Sequence, residues 1–354
     1  MLDKFVIVVL LFALMGGGYS AQCADTMSDE EYTAYFLPTK TPLKELKNGL
    51  TINYEGFRRS MVEQCQCQTN PLGGFEREAT LYTMLDETSS PRSLVDAGAF
   101  LRDKPKGENT EIPPEFLAKA DTLMKMYKMA GIEAVNVSFM DFGAGLDFIK
   151  NLQKKYDVPF ISANLLTSDS KSLLFEPYVI VNKILSNGQQ VKVAYLGVTR
   201  DSGYDGMPET LLKDREYRAL GVIDTIRKYV PELKQKADMV VLLLYARPEA
   251  EYALSYLLAL KDGEQPDLVI CGEFHGMNRD VQNVNKSRVV CCGYEGRQIG
   301  NIFVKFDKAN KPVKFLNKLI DIKPAIPAVD VYKKLVDAVA PKKPMEEIKK
   351  ISIE

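Results

Sequence analysis

The chain is predicted to be an α/β protein, and three observations carry that expectation. Short apolar runs of strand length alternate with amphipathic stretches of helical period along nearly the whole chain, the pattern of strands buried between helical layers. Several of these runs end on a glycine or a polar residue, where a loop must begin. No Ser/Gly-rich linker or low-complexity run divides the 354 residues before the carboxy-terminal tail, so one large domain is expected over residues 49–323.

The elements follow in order. Residues 1–24 read as an export signal: Met1 and Lys4, eleven apolar residues from Phe5 to Met15, a run of glycines, then small residues through Ala24. A membrane-spanning helix needs roughly 20 apolar residues, so cleavage between Ser20 and Ala24 and a soluble periplasmic or secreted protein are expected. Gln22 precedes Cys23 where lipidation asks for a small residue. An amino-terminal segment, residues 25–48, leads to strands at 50–55, 93–97, 134–138, 159–163, 191–198, 239–244 and 268–271. Between them the helical period predicts helices at 74–87, 114–129, 145–156, 217–236 and 248–260, with Pro114 and Pro248 suited to a first helical turn. After residue 285 three strands follow one another, 288–292, 301–307 and 312–320, and the short turns between them predict antiparallel pairing. Residues 324–354 hold a short helix, 329–340, between Pro327 and Pro341, and a tail; the segment is expected to pack against the sheet edge or to hang free, with a docking element as the alternative.

Composition excludes several classes of function. His275 is the one histidine of the chain, whereas most metallohydrolase and triad mechanisms need several imidazoles. Forty-six basic residues balance 47 acidic ones for a net charge of −1, with no basic face interleaved with aromatics, so nucleic acid is not an expected partner. In open α/β sheets chemistry gathers at the carboxyl ends of the strands, and the residues there are the candidates.

Read strand by strand, those ends resemble the amino-terminal domain of the calcineurin-like metallophosphoesterases, in the periplasmic 5′-nucleotidase and UDP-sugar hydrolase branch (UshA-like). Pro71-Leu-Gly-Gly-Phe-Glu-Arg-Glu-Ala-Thr80 is similar to that family's Gly-Gly-Leu-Ala-Arg-Arg-Ala-Thr helix start, and Leu94-Val-Asp-Ala-Gly-Ala99 to its Leu-Asp-Ala-Gly-Asp. Pro159-Phe-Ile-Ser-Ala-Asn164, Pro177-Tyr-Val-Ile180 and Val193-Ala-Tyr-Leu-Gly-Val-Thr199 keep the family's order. The resemblance implies a four-layer α/β/β/α sandwich of two mixed sheets. It also implies two metal ions held by Asp-x-His, Gly-Asp, Gly-Asn-His, a lone His and Gly-His-x-His. This sequence departs from nearly all of that set: Asn53-Tyr-Glu55 stands at Asp-x-His, Ala99 at the bridging carboxylate beyond Asp96, and Ser138-Phe-Met-Asp-Phe142 at Gly-Asn-His. Tyr245 stands at the lone His, and Cys271-Gly-Glu-Phe-His275 at Gly-His-x-His. A degenerate site without the dinuclear centre is the expectation. The family's longer members carry a nucleoside-binding carboxy-terminal domain, and no counterpart of it is expected here.

Cysteines stand where the ligands are missing. Cys65-Gln-Cys67 lies between the first strand and the Gly73-Gly74 helix start, whose amino terminus would lower a thiol pKa, and Cys271 closes the strand before His275. Cys291 and Cys292 are strand neighbours, so at most one can join a common site, and packing is the expectation for both. The resemblance extends to exported UshA-like (seleno)proteins, in which a cysteine or selenocysteine occupies a metal-poor site. Export equally suits a disulfide staple linking Cys65 with Cys67, or either with Cys271.

Three functions follow as expectations. The leading one is a non-hydrolytic protein using Cys65 and Cys67 for thiol redox or ligand binding, with Asn53, Glu55, Asp96, Asp141, Tyr245, Cys271, Glu273 and His275 lining the site. No cofactor is expected in that case, and the partner is an unspecified small molecule or redox protein. The second is a phosphoester hydrolase with one divalent cation on Glu55, Asp141, Glu273 and His275; zinc on Cys65, Cys67, Cys271 and His275 is a further arrangement. The third is a scaffold or partner-binding protein.

Overall fold

The computed structural model describes residues 48–67, 71–86, 90–102, 111–200, 217–247, 253–273 and 280–340. The expected signal segment, the tail after Ala340 and His275 lie outside these residues.

Two six-stranded mixed sheets stack face to face. The first contains β1 (Gly49–Glu55), β2 (Arg92–Asp96), β3 (Ala134–Asn136), β4 (Phe160–Ile161), β13 (Gln298–Phe306) and β14 (Pro312–Asp321), in the order β14-β13-β1-β2-β3-β4. Strands β1 to β4 run parallel, and β13 and β14 close the edge antiparallel. The second contains β6 (Tyr178–Ile184), β7 (Gln190–Thr199), β9 (Met239–Tyr245), β10 (Leu268–Cys271), β11 (Gln282–Val284) and β12 (Ser287–Cys291), in the order β11-β12-β10-β9-β7-β6. Its central strands β7, β9, β10 and β12 are parallel, and β6 and β11 are antiparallel at its two edges. A small pair, β5 (Leu165–Thr167) with β8 (Tyr217–Ala219), lies apart.

Side-chain alternation builds the layers. On β1, Leu50, Ile52 and Tyr54 enter the core between the sheets, and on β9 Met239, Val241, Leu243 and Tyr245 meet them from the other side. The intervening Val240, Leu242 and Leu244 face an outer core with α4 (Val222–Lys236) and α5 (Ala253–Leu258). Burial on both faces is why β9 reads as a continuous apolar run. The first sheet's outer face is covered by α1 (Phe75–Asp86), α2 (Pro114–Ala130), α3 (Leu146–Tyr156) and α6 (Asp330–Val339). The four-layer α/β/β/α expectation is therefore met.

Several local expectations are corrected. The predicted helix 217–236 begins only at Val222, because its first residues pair with β5 as β8 and Gly221 is extended ahead of the helix. The strand predicted at 288–292 does not pair with its successor; β12 joins the second sheet beside β10, and β13 returns to the first beside β1. Hydrophobic period reports burial and not sheet membership, so that crossing is invisible in sequence. Strand β6 is an addition to the expected strands, although Tyr178-Val-Ile-Val181 carries a strand's β-branched composition. Helix α6 docks on α1 and α2 rather than on a sheet edge, with Tyr332 and Phe75 ring centres 5.4 Å apart.

Candidate functional site at the strand tips

The parallel registers bring the carboxyl ends together: Glu55 pairs with Asp96, Asp96 with Val135, Thr199 with Tyr245, and Cys271 with both Leu244 and Cys291. The candidate residues then divide between two faces. Ala99, Tyr245 and Cys292 are buried in the core between the sheets, with Phe139 and Met140 packed against it. Asn53, Glu55 and Asp96 point the other way, under the helices. The residues of this segment that face the inner side are Tyr54 and Gly56.

The inner tips are closely filled. Phe139 meets Tyr245 edge-on at 5.6 Å between ring centres, and the Arg200 guanidinium lies 5.0 Å from the Phe139 ring. A Cβ on Gly272 would stand 2.3 Å from the carbonyl oxygen of Ala97, and one on Gly56 would stand 2.9 Å from the Gly272 Cα and 3.0 Å from the Cys292 Sγ. The two sheets thus touch backbone to backbone at this end. Gly272→Ala is expected to cost about 1–3 kcal/mol, read as a lower denaturation midpoint at unchanged slope, because the clash is with main chain that cannot rotate away. Burial pushes the Cys292 thiol well above its ordinary pKa, and its Sγ donates to the Gly272 carbonyl at 3.2 Å. Of the adjacent cysteines, Cys292 faces inward while Cys291 and Cys271 enter the outer core beside α4 and α5.

The outer carboxylates are engaged by protein donors. Glu55 accepts from Arg58 at 2.9 Å and from the hydroxyls of Tyr82 and Tyr127, and Arg58 also reaches Glu78 at 2.6 Å. Asp96 accepts from Tyr127 at 2.6 Å and from the Gly98 amide at 2.7 Å. Burial drives its pKa to about 7 even though those donors, chiefly Tyr127, pull it down. Asp141 closes a capping box with Ser138 on the 3₁₀ turn Phe139–Ala144, and it also accepts the amides of Ala99 and Leu101. Its pKa rises to about 6 through burial, against those same bonds. Glu273 is fully buried between Arg200, at 2.9 Å, and Arg247, at 3.3 Å. The structure therefore does not gather Glu55, Asp141 and Glu273 as a ligand set. Among the described residues no group of three or more His, Cys, Asp or Glu side chains is placed to hold a metal ion.

Cys65 and Cys67 form a separate feature at the rim. The segment leading to Cys65 pairs with the approach to α1, through the Gln64 to Gly73 bridge and the Cys65 amide to the Leu72 carbonyl at 2.8 Å. Cys65 is buried, Cys67 is exposed, and neither is in a disulfide, which corrects the staple expectation. Burial raises the Cys65 pKa, but hydrogen bonds from the Cys67 thiol and amide and the Leu72 amide, with the positive Arg297 nearby, outweigh it and hold the thiol below its ordinary value. Cys67 is raised in turn, first by its bond to Cys65. At the α1 amino terminus the Phe75 amide donates to the Val62 carbonyl. Sequence reasoning missed Arg297, and with it Arg59, both ion-paired to Glu295 at 3.4 Å. Only folding brings residues 295–297 to Cys65.

Two stacked mixed sheets flanked by helices, with their candidate residues at the strand tips, define the fold of the calcineurin-like phosphoesterases. It is shared with the calcineurin-like phosphoesterase YfkN from Bacillus subtilis (TM-score 0.65, 19% identity, 83% of this chain and 97% of that one). The 5′-nucleotidase precursor from Thermus thermophilus has the same fold (TM-score 0.65, 17% identity, 82% of this chain and 58% of that one). In sequence the chain is a relative of the 5′-nucleotidase and cyclic-nucleotide phosphodiesterase proteins. It is 24% identical over 216 residues to the 2′,3′-cyclic-nucleotide 2′-phosphodiesterase/3′-nucleotidase of Haemophilus influenzae, a match covering 57% of this chain and 32% of that protein. The chain thus spans about a third of that relative's length. No family model matches it. Among the described residues, no helix is long and apolar enough to cross a membrane.

Proposed function

We propose that this chain is an exported protein of the phosphoesterase fold that has given up dinuclear hydrolysis and works through the Cys65 and Cys67 thiols, in redox exchange or ligand binding. The observation that carries this reading is the thiol pair itself. Two cysteines outside any disulfide, two residues apart, are hydrogen-bonded to each other beside Arg297; one sulfur is exposed, and the pair releases its first proton early. Support comes from the inner tips, where Ala99, Phe139 and Tyr245 offer rings and methyl groups at positions the fold's hydrolases give to ligands. Export rests on residues 1–24. In the redox form the two thiols would pass two electrons and two protons to a partner's disulfide, ending as a Cys65–Cys67 disulfide while the partner becomes a dithiol.

Alkylation followed by peptide mapping tests the proposal. Labelling of the folded protein at neutral pH is expected on Cys67 and Cys65 and to be slow on Cys271, Cys291 and Cys292, and Cys65→Ser is expected to speed labelling of Cys67, because it removes the bond that raises that thiol's pKa. Uniformly slow labelling at both sulfurs would remove the thiol site. The relatives' activity supplies the other reading, hydrolysis with one cation on Glu55, Asp141, Glu273 and His275. Turnover of a generic phosphodiester with added manganese, lost in Glu273→Gln, would establish it in place of the thiol reading.

A further inference from the structure

We propose that the hairpin joining β13 to β14 is a docking surface for a membrane carrying anionic lipid headgroups; it uses none of the residues of the thiol reading and stands apart from it. The first ground is charge. Lys305, Lys308, Lys311 and Lys314 are all exposed and share the hairpin with a single acid, Asp307, in a chain whose charges otherwise nearly cancel. Asp307 is committed to the turn itself, where its Oδ1 accepts the amides of Ala309 at 2.8 Å and Lys311 at 2.9 Å. Asp267, the nearest other acid to Lys311, is half-buried and accepts the Val240 amide at 2.8 Å. Among the described residues no ion pair holds any of the four lysines. Lys305 and Lys314 stand directly opposite each other across the strand pair, an arrangement of like charges that costs stability until a counter-charge arrives from outside.

The second ground is the apolar surface among those cations. The register steps from Lys305 opposite Lys314 to Phe306 opposite Pro312, which leaves Val313 as the extra residue of a β-bulge, 57% exposed. Ile184, 66% exposed, reaches the same pole, because Gln190 lies opposite it and the Gln190 carbonyl accepts from the Asn310 amide at 2.8 Å. Aliphatic side chains ringed by lysines suit the boundary of a bilayer, where the chains enter the headgroup layer and the ammonium groups meet phosphate. Phe306 is buried, so the hairpin offers no exposed ring on which the bases of a single nucleic-acid strand could stack.

The third ground is how the fold presents this surface. The Gln189 amide donates to the Asp307 carbonyl and to the Asn310 Oδ1, each at 2.6 Å, so the turn between β6 and β7 fixes the hairpin tip. Strand β1 starts at Gly49 opposite Lys305 and ends at Glu55, which sets the lysines at the pole away from the strand tips. A chain docked by this hairpin keeps its strand tips turned toward solution.

Co-sedimentation of the full chain with vesicles tests the assignment, comparing phosphatidylcholine alone with phosphatidylcholine mixed with phosphatidylglycerol. Tighter binding to the mixed vesicles is expected, and the difference should shrink as salt is added. Lys308→Gln combined with Lys311→Gln should weaken binding to the mixed vesicles about thirtyfold, since each basic residue at an anionic surface is worth a factor of about five. Val313→Asn leaves the charge unchanged and should weaken binding to the mixed vesicles by its own increment. Lys125→Gln combined with Lys154→Gln, two exposed lysines on α2 and α3, should leave binding as in the parent. Equal denaturation midpoints across the variants show that the fold is intact in each. Equal binding to the two kinds of vesicle, an equal loss in the α2 and α3 variant, or equally strong binding to duplex DNA or polyglutamate overturns the proposal.

Discussion

Replacing Arg58 with alanine is expected to destabilise the protein by about 3–5 kcal/mol, the range for breaking a buried ion pair from one side. Arg58 is only 1% exposed, and its guanidinium stands between Glu55 and Glu78, both closed to solvent. Without it two carboxylates remain against each other in a dry site, with the Tyr82 and Tyr127 hydroxyls on Glu55 alone. Chemical denaturation at neutral pH measures the deficit. The deficit should shrink as pH falls, because an unpaired buried glutamate takes up a proton in preference to its charge. Combining Arg58→Met with Glu78→Leu is expected to recover much of the loss, since an apolar replacement removes both charges at once. If the single variant is as stable as the parent, the polar cluster under α1 and α2 does not hold the sheet to its helices.

The second large effect is a pH dependence set by Asp96. Burial lifts its pKa to about 7, so the folded chain keeps a proton there that the unfolded chain releases near 4. Between those values the folded state binds more protons than the unfolded, and stability must fall as pH rises through the window. The gap corresponds to on the order of 4 kcal/mol. Asp141 adds a contribution of the same sign that ends near pH 6. Asp96→Asn retains an acceptor for the Gly98 amide and leaves the Tyr127 hydroxyl its bond to Glu55 at 3.0 Å. In that variant the decline should be shallower and should stop near pH 6, whereas the parent continues to lose stability to about pH 7. Identical slopes in urea denaturation series from about pH 4 to about pH 8 would show that Asp96 ionises in the fold as it does in water.

Both predictions concern residues gathered at the strand tips, where their partners are protein donors. The resemblance placed Asn53 and Glu55 at a ligand pair, and the strand sends both toward the helices. Tyr54 and Gly56 take the inner side, the first with its ring over Gly300 and the second against Gly272. In the candidate site the sequence identified the chemistry but not its grouping. Cys65 and Cys67 were legible because two residues of separation place them together in any extended segment. Their separation from Cys271 was not legible, because Cys271 differs from an inward-facing neighbour only by the parity of its strand.

By itself the sequence determined the alternation of strands and helices, the class of fold, and the departure of its residues from the ligand pattern that the resemblance implies. Those follow from local period and residue chemistry, which need no knowledge of distant partners. Tertiary structure alone decided that β12 and β13 part into different sheets, that Glu55 and Asp96 meet a tyrosine and arginine network under the helices, and that Arg297 comes to lie beside Cys65. Each of these depends on contacts across long stretches of chain, and a one-residue change of strand parity is enough to reverse which face a side chain meets.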